Sequence, residues 1–90
     1  MAINITFDPA KDAANRTKHG ISMTDADMLD WDTALIEEDD RHDYGEARML
    51  GIGYIGLRLH FVVFVERDGI KRIISLRKAN PREYLRYAKT

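Results

Sequence analysis

The 90-residue sequence predicts an α+β fold, with a small antiparallel β-sheet, two N-terminal helices and a short C-terminal helix. Three observations carry this expectation. LRLHFVVFVER and IKRIISLRK read as two strands on either side of an Asp68-Gly69 turn. Two capped helical segments lie between residues 8 and 31. The closing NPREYLRYAKT has the chemistry of a helix start.

The elements follow in order. INITF (3–7) alternates apolar and polar residues, the period of a half-buried strand. Asp8 is a good N-cap, Pro9 suits the first helical position, and Gly20 is a natural stop behind Lys18 and His19. SMTDADMLDW (22–31) begins with a capping box, Ser22 to Asp25, and directs Met28, Leu29 and Trp31 toward a core. TALIEEDDRHDYGEA supplies a short strand and an acidic loop, and RMLGIGYIG a further strand. The aromatic and β-branched residues of 59–65 mark a central strand. In the last segment Asn80 is the N-cap, Pro81 follows, and Glu83 completes a capping box.

A chain of this length is expected to form one domain with a small core, burying roughly 60–65% of its unfolded surface. Its 44% hydrophobic and 32% charged residues suit a soluble globular protein. The absence of cysteine excludes disulfides and thiolate metal sites. The start, MAINITFDPAK, has no secretory pattern and no apolar run approaches about 20 residues, so a cytoplasmic location is expected. The net charge of −1 conceals a split. Residues 1–56 hold five bases and twelve acids, whereas residues 57–90 hold nine bases and three acids. Such asymmetry suggests one surface for a polyanion and another for a basic partner.

An uninterrupted hairpin around Asp68-Gly69 places Glu66 opposite Lys71, Phe64 opposite Ile73, Val62 opposite Ser75 and His60 opposite Arg77 on one face. The other face pairs Val65 with Arg72, Val63 with Ile74, Phe61 with Leu76 and Leu59 with Lys78. Apolar except at its ends, that second face is expected under the helices, leaving the first accessible. Metal-free cleavage of RNA needs a base for the 2′-hydroxyl, cations for the phosphate and an acid for the leaving 5′-oxygen. Glu66 or His60 is the candidate base or acid, and Arg67, Lys71 and Arg77 are the candidate phosphate holders. The plainer readings are a structural sheet histidine for His60 and a cross-strand pair for Glu66 and Lys71. His19 at a helix C-terminus has a dipole role, and His42 reads as surface. The EEDD run (37–40) is a solvated loop rather than a metal site, and neither a metal nor another cofactor is expected. Gly51, Gly53 and Gly56 suit bulges or tight strand contacts, because no helix follows to make a nucleotide loop.

FDPAK…N…KHGI (7–21), GEARMLGIG (45–53), VVFVERDG (62–69) and RIISLRKANPREYLRY (72–87) resemble, in order, the BrnT toxins of bacterial type II toxin–antitoxin systems. The resemblance implies a RelE-like fold and a ribonuclease that halts translation. It also implies neutralisation by a BrnA-like ribbon-helix-helix antitoxin, with operator DNA bound only by the complex. By position it points to Glu66 and Arg67, to Arg77, to Lys18 and His19 of KHG, and to Arg72, Ser75, Glu83 and Tyr84. Taken together, the expected catalytic residues are Glu66, Arg67, Arg77 and His60. Lys71, Arg72, Ser75, Lys78, Lys18, His19 and Tyr84 are expected to hold RNA. This chain departs from the family pattern in having Phe64 where a tyrosine is common, and TFDP without a preceding tryptophan. The alternative class is a non-catalytic module that binds nucleic acid or the antitoxin to regulate the operon.

Overall fold

The computed structural model describes residues 4–39 and 47–90. The acidic loop from Asp40, with His42, and Ile3 at the start of the expected opening strand lie outside them. One five-stranded sheet has the order β1-β5-β4-β3-β2, from β1 (Ile5–Thr6), β2 (Leu35–Asp39), β3 (Arg48–Ile55), β4 (Arg58–Arg67) and β5 (Ile70–Lys78). β2, β3, β4 and β5 pair antiparallel. β1 runs parallel to β5, placing Ile5 beside Lys71 and Thr6 beside Arg72. The sheet is therefore mixed rather than wholly antiparallel.

Two helices form where their caps predict. α1 (Pro9–His19) starts at Asp8, whose carboxylate accepts from the Ala10 N–H, and ends at Gly20 in the left-handed conformation. α2 (Pro81–Ala88) opens with the complete Asn80–Glu83 capping box. The segment Met23–Met28 is a 3₁₀ helix instead of an α-helix. Its three-residue turn aligns Met23, Ala26 and Leu29, all buried, and turns Met28 outward, 62% exposed. Trp31 does reach the core, edge-to-face on Phe64 with ring centroids 5.2 Å apart.

The turn residues Asp68 (φ 54°) and Gly69 (φ 78°) both have positive φ, as a two-residue hairpin of matching twist requires. From there the register follows expectation through Phe64–Ile73, then slips by one: Val63 faces Ser75, Val62 faces Leu76, Phe61 faces Arg77 and His60 faces Lys78. Ile74 is the extra residue of a β-bulge. Beyond it every side chain of β5 exchanges faces.

Consequently the face expected to be open is covered. Val62, Phe64, Ile73 and Leu76 pack against Met23, Ala26 and Leu29 in the main core. Gly53 permits this approach, since a Cβ there would lie 2.8 Å from Leu29 Cδ2 and 3.0 Å from Ala34 Cβ. The opposite face carries a second cluster, Ile52, Leu59 and Ala79, against which Leu35, Phe61 and Tyr87 of α2 pack. α2 is tied to the β2 side by an Arg86–Glu37 ion pair and by the Tyr87 hydroxyl, which donates to the Thr33 carbonyl.

Only two residues of β1 pair with β5, so the outer backbone of β5 beyond Arg72 needs another partner. Asn15 of α1 supplies it. Its Nδ2 donates to the Leu76 carbonyl at 2.9 Å, and its Oδ1 accepts from the Leu76 N–H at 3.3 Å, as a neighbouring strand would. The same amide donates to the Ile21 carbonyl. α1 is thereby fastened along the edge of β5.

Candidate functional site

That edge contact builds a cleft of about 230 Å³ between α1 and the bulged part of β5, lined by Lys11, Lys18, His19, Ile74 and Ser75 with Met23 and Asn15 beneath. Lys11, Asn15, Lys18 and His19 come from one side of α1, spaced four, seven and eight residues from the first. Ser75 is half-buried at the cleft wall, turned to this side by the bulge.

His19 is held below its ordinary value of 6.5, by burial first and then by the positive charges of Lys18 and Arg77. These outweigh the helix C-terminus, which by itself would favour imidazolium. A neutral imidazole among cations is suited to taking a proton at neutral pH.

Arg77, two residues beyond Ser75 on β5, lies opposite Phe61 and stacks on it, with its guanidinium carbon 4.4 Å from the ring centroid. Two bonds of 2.8 Å join Nη1 and Nη2 to the Glu83 carboxylate, and Nη1 also donates to the Lys78 carbonyl. Of five guanidinium hydrogens, the Nε hydrogen and one on Nη2 stay available. Glu83 therefore orients Arg77 without exhausting it.

The expected grouping of His60, Glu66 and Arg77 does not form, because the bulge sends Arg77 to the other face. His60 is buried, its Nδ1 2.9 Å from the Arg58 carbonyl, under the 3₁₀-helix side of the sheet. Glu66 and Lys71 form a 3.2 Å cross-strand ion pair, and the ammonium also lies 5.1 Å from the Trp31 ring centroid. Such an accessible pair contributes less than about 1 kcal/mol. Arg67 and Arg72 line a separate cleft near the hairpin turn. Lys78 is exposed at the end of β5. Tyr84 is on α2, its ring beneath Arg58. Of the residues expected to act on RNA, the structure gathers Lys18, His19 and Ser75, with Arg77 close enough to perturb His19.

This cleft joins the KHG segment to the RIIS-x-R segment, and the match to known proteins spans both. A family model described as "Ribonuclease toxin, BrnT, of type II toxin-antitoxin system" matches residues 7–83. The chain belongs to the BrnT family. The fold is similar to that of the Brucella abortus ribonuclease toxin BrnT, known from a crystal structure. That similarity has a TM-score of 0.70 at 24% identity, covering 87% of this chain and 97% of the other. Among curated proteins no relative was found. Membership of a family of type II toxins implies an antitoxin partner. Among the described residues no helix is long and apolar enough to cross a membrane. No group of three or more metal-ligating side chains is gathered among them either.

Lys11 is the cleft residue that motif reading missed. Its spacing to Lys18 was available in the sequence, but a polar helix stripe carries no mark distinguishing a site from a solvated face.

Glu83 yields a measurable consequence. Burial, the largest influence, raises its carboxyl; the Arg77 hydrogen bonds, the Asn80 N–H and the charges of Arg77 and Arg86 together prevail and hold it below its ordinary 4.5. A carboxyl whose folded value is lowered stabilises fully above its unfolded value, and this stability fades as pH falls through the lowered one. Unfolding free energies measured from pH 7 to pH 2 should show Glu83→Gln less stable than the parent at neutral pH, with the gap closing below about pH 4.5. A gap independent of pH contradicts this account.

Proposed function

We propose that the chain is a metal-independent endoribonuclease whose reaction takes place in the cleft between α1 and β5. The observation that carries this reading is a histidine kept neutral beside Lys18, Lys11 and Ser75, with Arg77 in electrostatic reach. His19 takes the proton from a 2′-hydroxyl, and that oxygen attacks the adjacent phosphorus. Lys11, Lys18 and the remaining donors of Arg77 stabilise the added charge on the phosphoryl oxygens. The bond to the 5′-oxygen breaks as Lys18 supplies a proton to it, leaving a 2′,3′-cyclic phosphate. His19 thus replaces Glu66 and His60 as the base, since neither of those shares this cleft.

The RelE-like relationship, action on translation in the cytoplasm and neutralisation by a BrnA-like ribbon-helix-helix antitoxin belong to the same reading. The acidic flank that includes Glu37 and Glu38 would attract a basic segment of the antitoxin, making association faster at low salt. An association rate unchanged by salt would remove this part of the proposal.

The test uses the purified chain with RNA in excess EDTA. Cleavage is expected, with 2′,3′-cyclic phosphate ends, together with growth arrest when the chain is expressed in bacteria. Binding without cleavage, and expression without arrest, would instead establish the non-catalytic module.

A further inference from the structure

The second cleft, of about 220 Å³, is lined by Thr6, Val65, Arg67, Asp68, Ile70 and Arg72. It opens on the face that Ser75 and Arg77 share. Phe61, Val63 and Val65 alternate along that side of β4, facing Arg77, Ser75 and Arg72 in turn. Val63 and Phe61 are only partly buried, so the face remains accessible between the two clefts. Five positions of β5 separate Arg72 from Arg77, a span of about 15 Å, which a few nucleotides of single-stranded RNA bridge.

The lining has the chemistry of a base-binding site. Val65 and Ile70 give an aliphatic wall, and Ile70 is 43% exposed although nothing polar requires it at the surface. Arg72 is exposed and has no hydrogen bond or ion pair with another described residue, so its guanidinium plane is available to stack or to meet a phosphate. Thr6, held beside Arg72 by the parallel β1 pairing, adds an exposed hydroxyl. Asp68 at the turn can accept from a base amino group and opposes a bare anion.

The geometry points to a secondary subsite here, in which a nucleobase of the substrate strand, a few nucleotides from the scissile phosphate, stacks at Arg72 with its phosphate on the guanidinium. This rests on the nuclease reading of the α1–β5 cleft and extends it by giving the enzyme a preference for RNA that continues past the cleavage point.

The experiment uses 2′-deoxy oligonucleotides carrying one cleavable ribonucleotide, either short or extended by three nucleotides on one side or the other. For the parent chain, extension on one side should raise kcat/KM about tenfold, the order expected for one stacked base. In Arg72→Ala and, independently, Thr6→Glu, the long-to-short ratio should fall to about one. The slope of log affinity against log salt should also flatten by about 0.7 in Arg72→Ala. Both substituted side chains are exposed, and unchanged melting temperatures exclude misfolding as the cause. A ratio that survives in both variants overturns the subsite. If the parent cleaves every length equally, the subsite fails and the nuclease reading stands. If it cleaves nothing, yet uncleavable all-deoxy strands bind with a length dependence that Arg72→Ala abolishes, the groove stands and the nuclease reading fails.

Discussion

Replacement of His19 by alanine is expected to reduce RNA cleavage by about 10²–10⁴-fold, the usual contribution of one positioned proton-transfer group. The half-buried imidazole ends α1 rather than filling the core, so the folded state should survive the change. The more discriminating measurement is the pH profile. Only neutral imidazole accepts a proton, so kcat/KM should rise with pH through the value of His19 in the free enzyme. Burial, Lys18 and Arg77 all lower that value, which places the acid limb below pH 6.5. Removing the Lys18 charge should move the limb back toward 6.5 whatever it does to the maximal rate. The same shift has a stability sign: between the ordinary and lowered values the unfolded chain binds more protons, so the folded state weakens as pH falls there. An acid limb at or above 6.5, or near-parental activity in His19→Ala, rejects His19 as the base.

Arg77→Ala is expected to cost about 10²–10³-fold in kcat, the range for losing one donor aimed at developing oxyanion charge. The substitution also strands the Glu83 carboxylate, so a loss of activity alone would be ambiguous. Glu83→Gln separates the effects. It breaks the same ion pair and weakens the helix cap, yet leaves the guanidinium stacked on Phe61. If Arg77 acts on the phosphate, Glu83→Gln should retain much more activity than Arg77→Ala at a comparable melting temperature. Equal losses would reduce Arg77 to a structural role. Arg77→Lys should fail to restore activity, because an ammonium cannot hold the two-bond contact with Glu83 while presenting further donors in a fixed plane.

Local chemistry was legible wherever it acts over a few residues. Asp8, Pro9 and Gly20 delimit α1, Asn80, Pro81 and Glu83 open α2, and Asp68-Gly69 makes the hairpin turn, because each satisfies or permits backbone geometry within one turn of itself. The cap at Ser22 marks the start of the second helical segment but not its type, since capping residues are shared by α and 3₁₀ starts. Its apolar spacing of three, Met23, Ala26 and Leu29, was the available signal. The motifs KHG and RIIS-x-R were also visible as unusual residues, though not as neighbours.

The strands, the caps and the division of charge are properties of short stretches, and the sequence by itself determined them. Which face of β5 carries Ser75 and Arg77 was decided by the tertiary structure. One inserted residue, Ile74, costs β5 little in pairing but reverses the direction of every later side chain, and burial of both Ile73 and Leu76 against the 3₁₀ helix selects that register. The placement of α1 was decided in the same way, by the Asn15 amide bonding an open strand edge 61 residues away in the chain. Contacts of that separation depend on how whole elements pack, and packing brings His19 and Lys18 to the same cleft as Ser75.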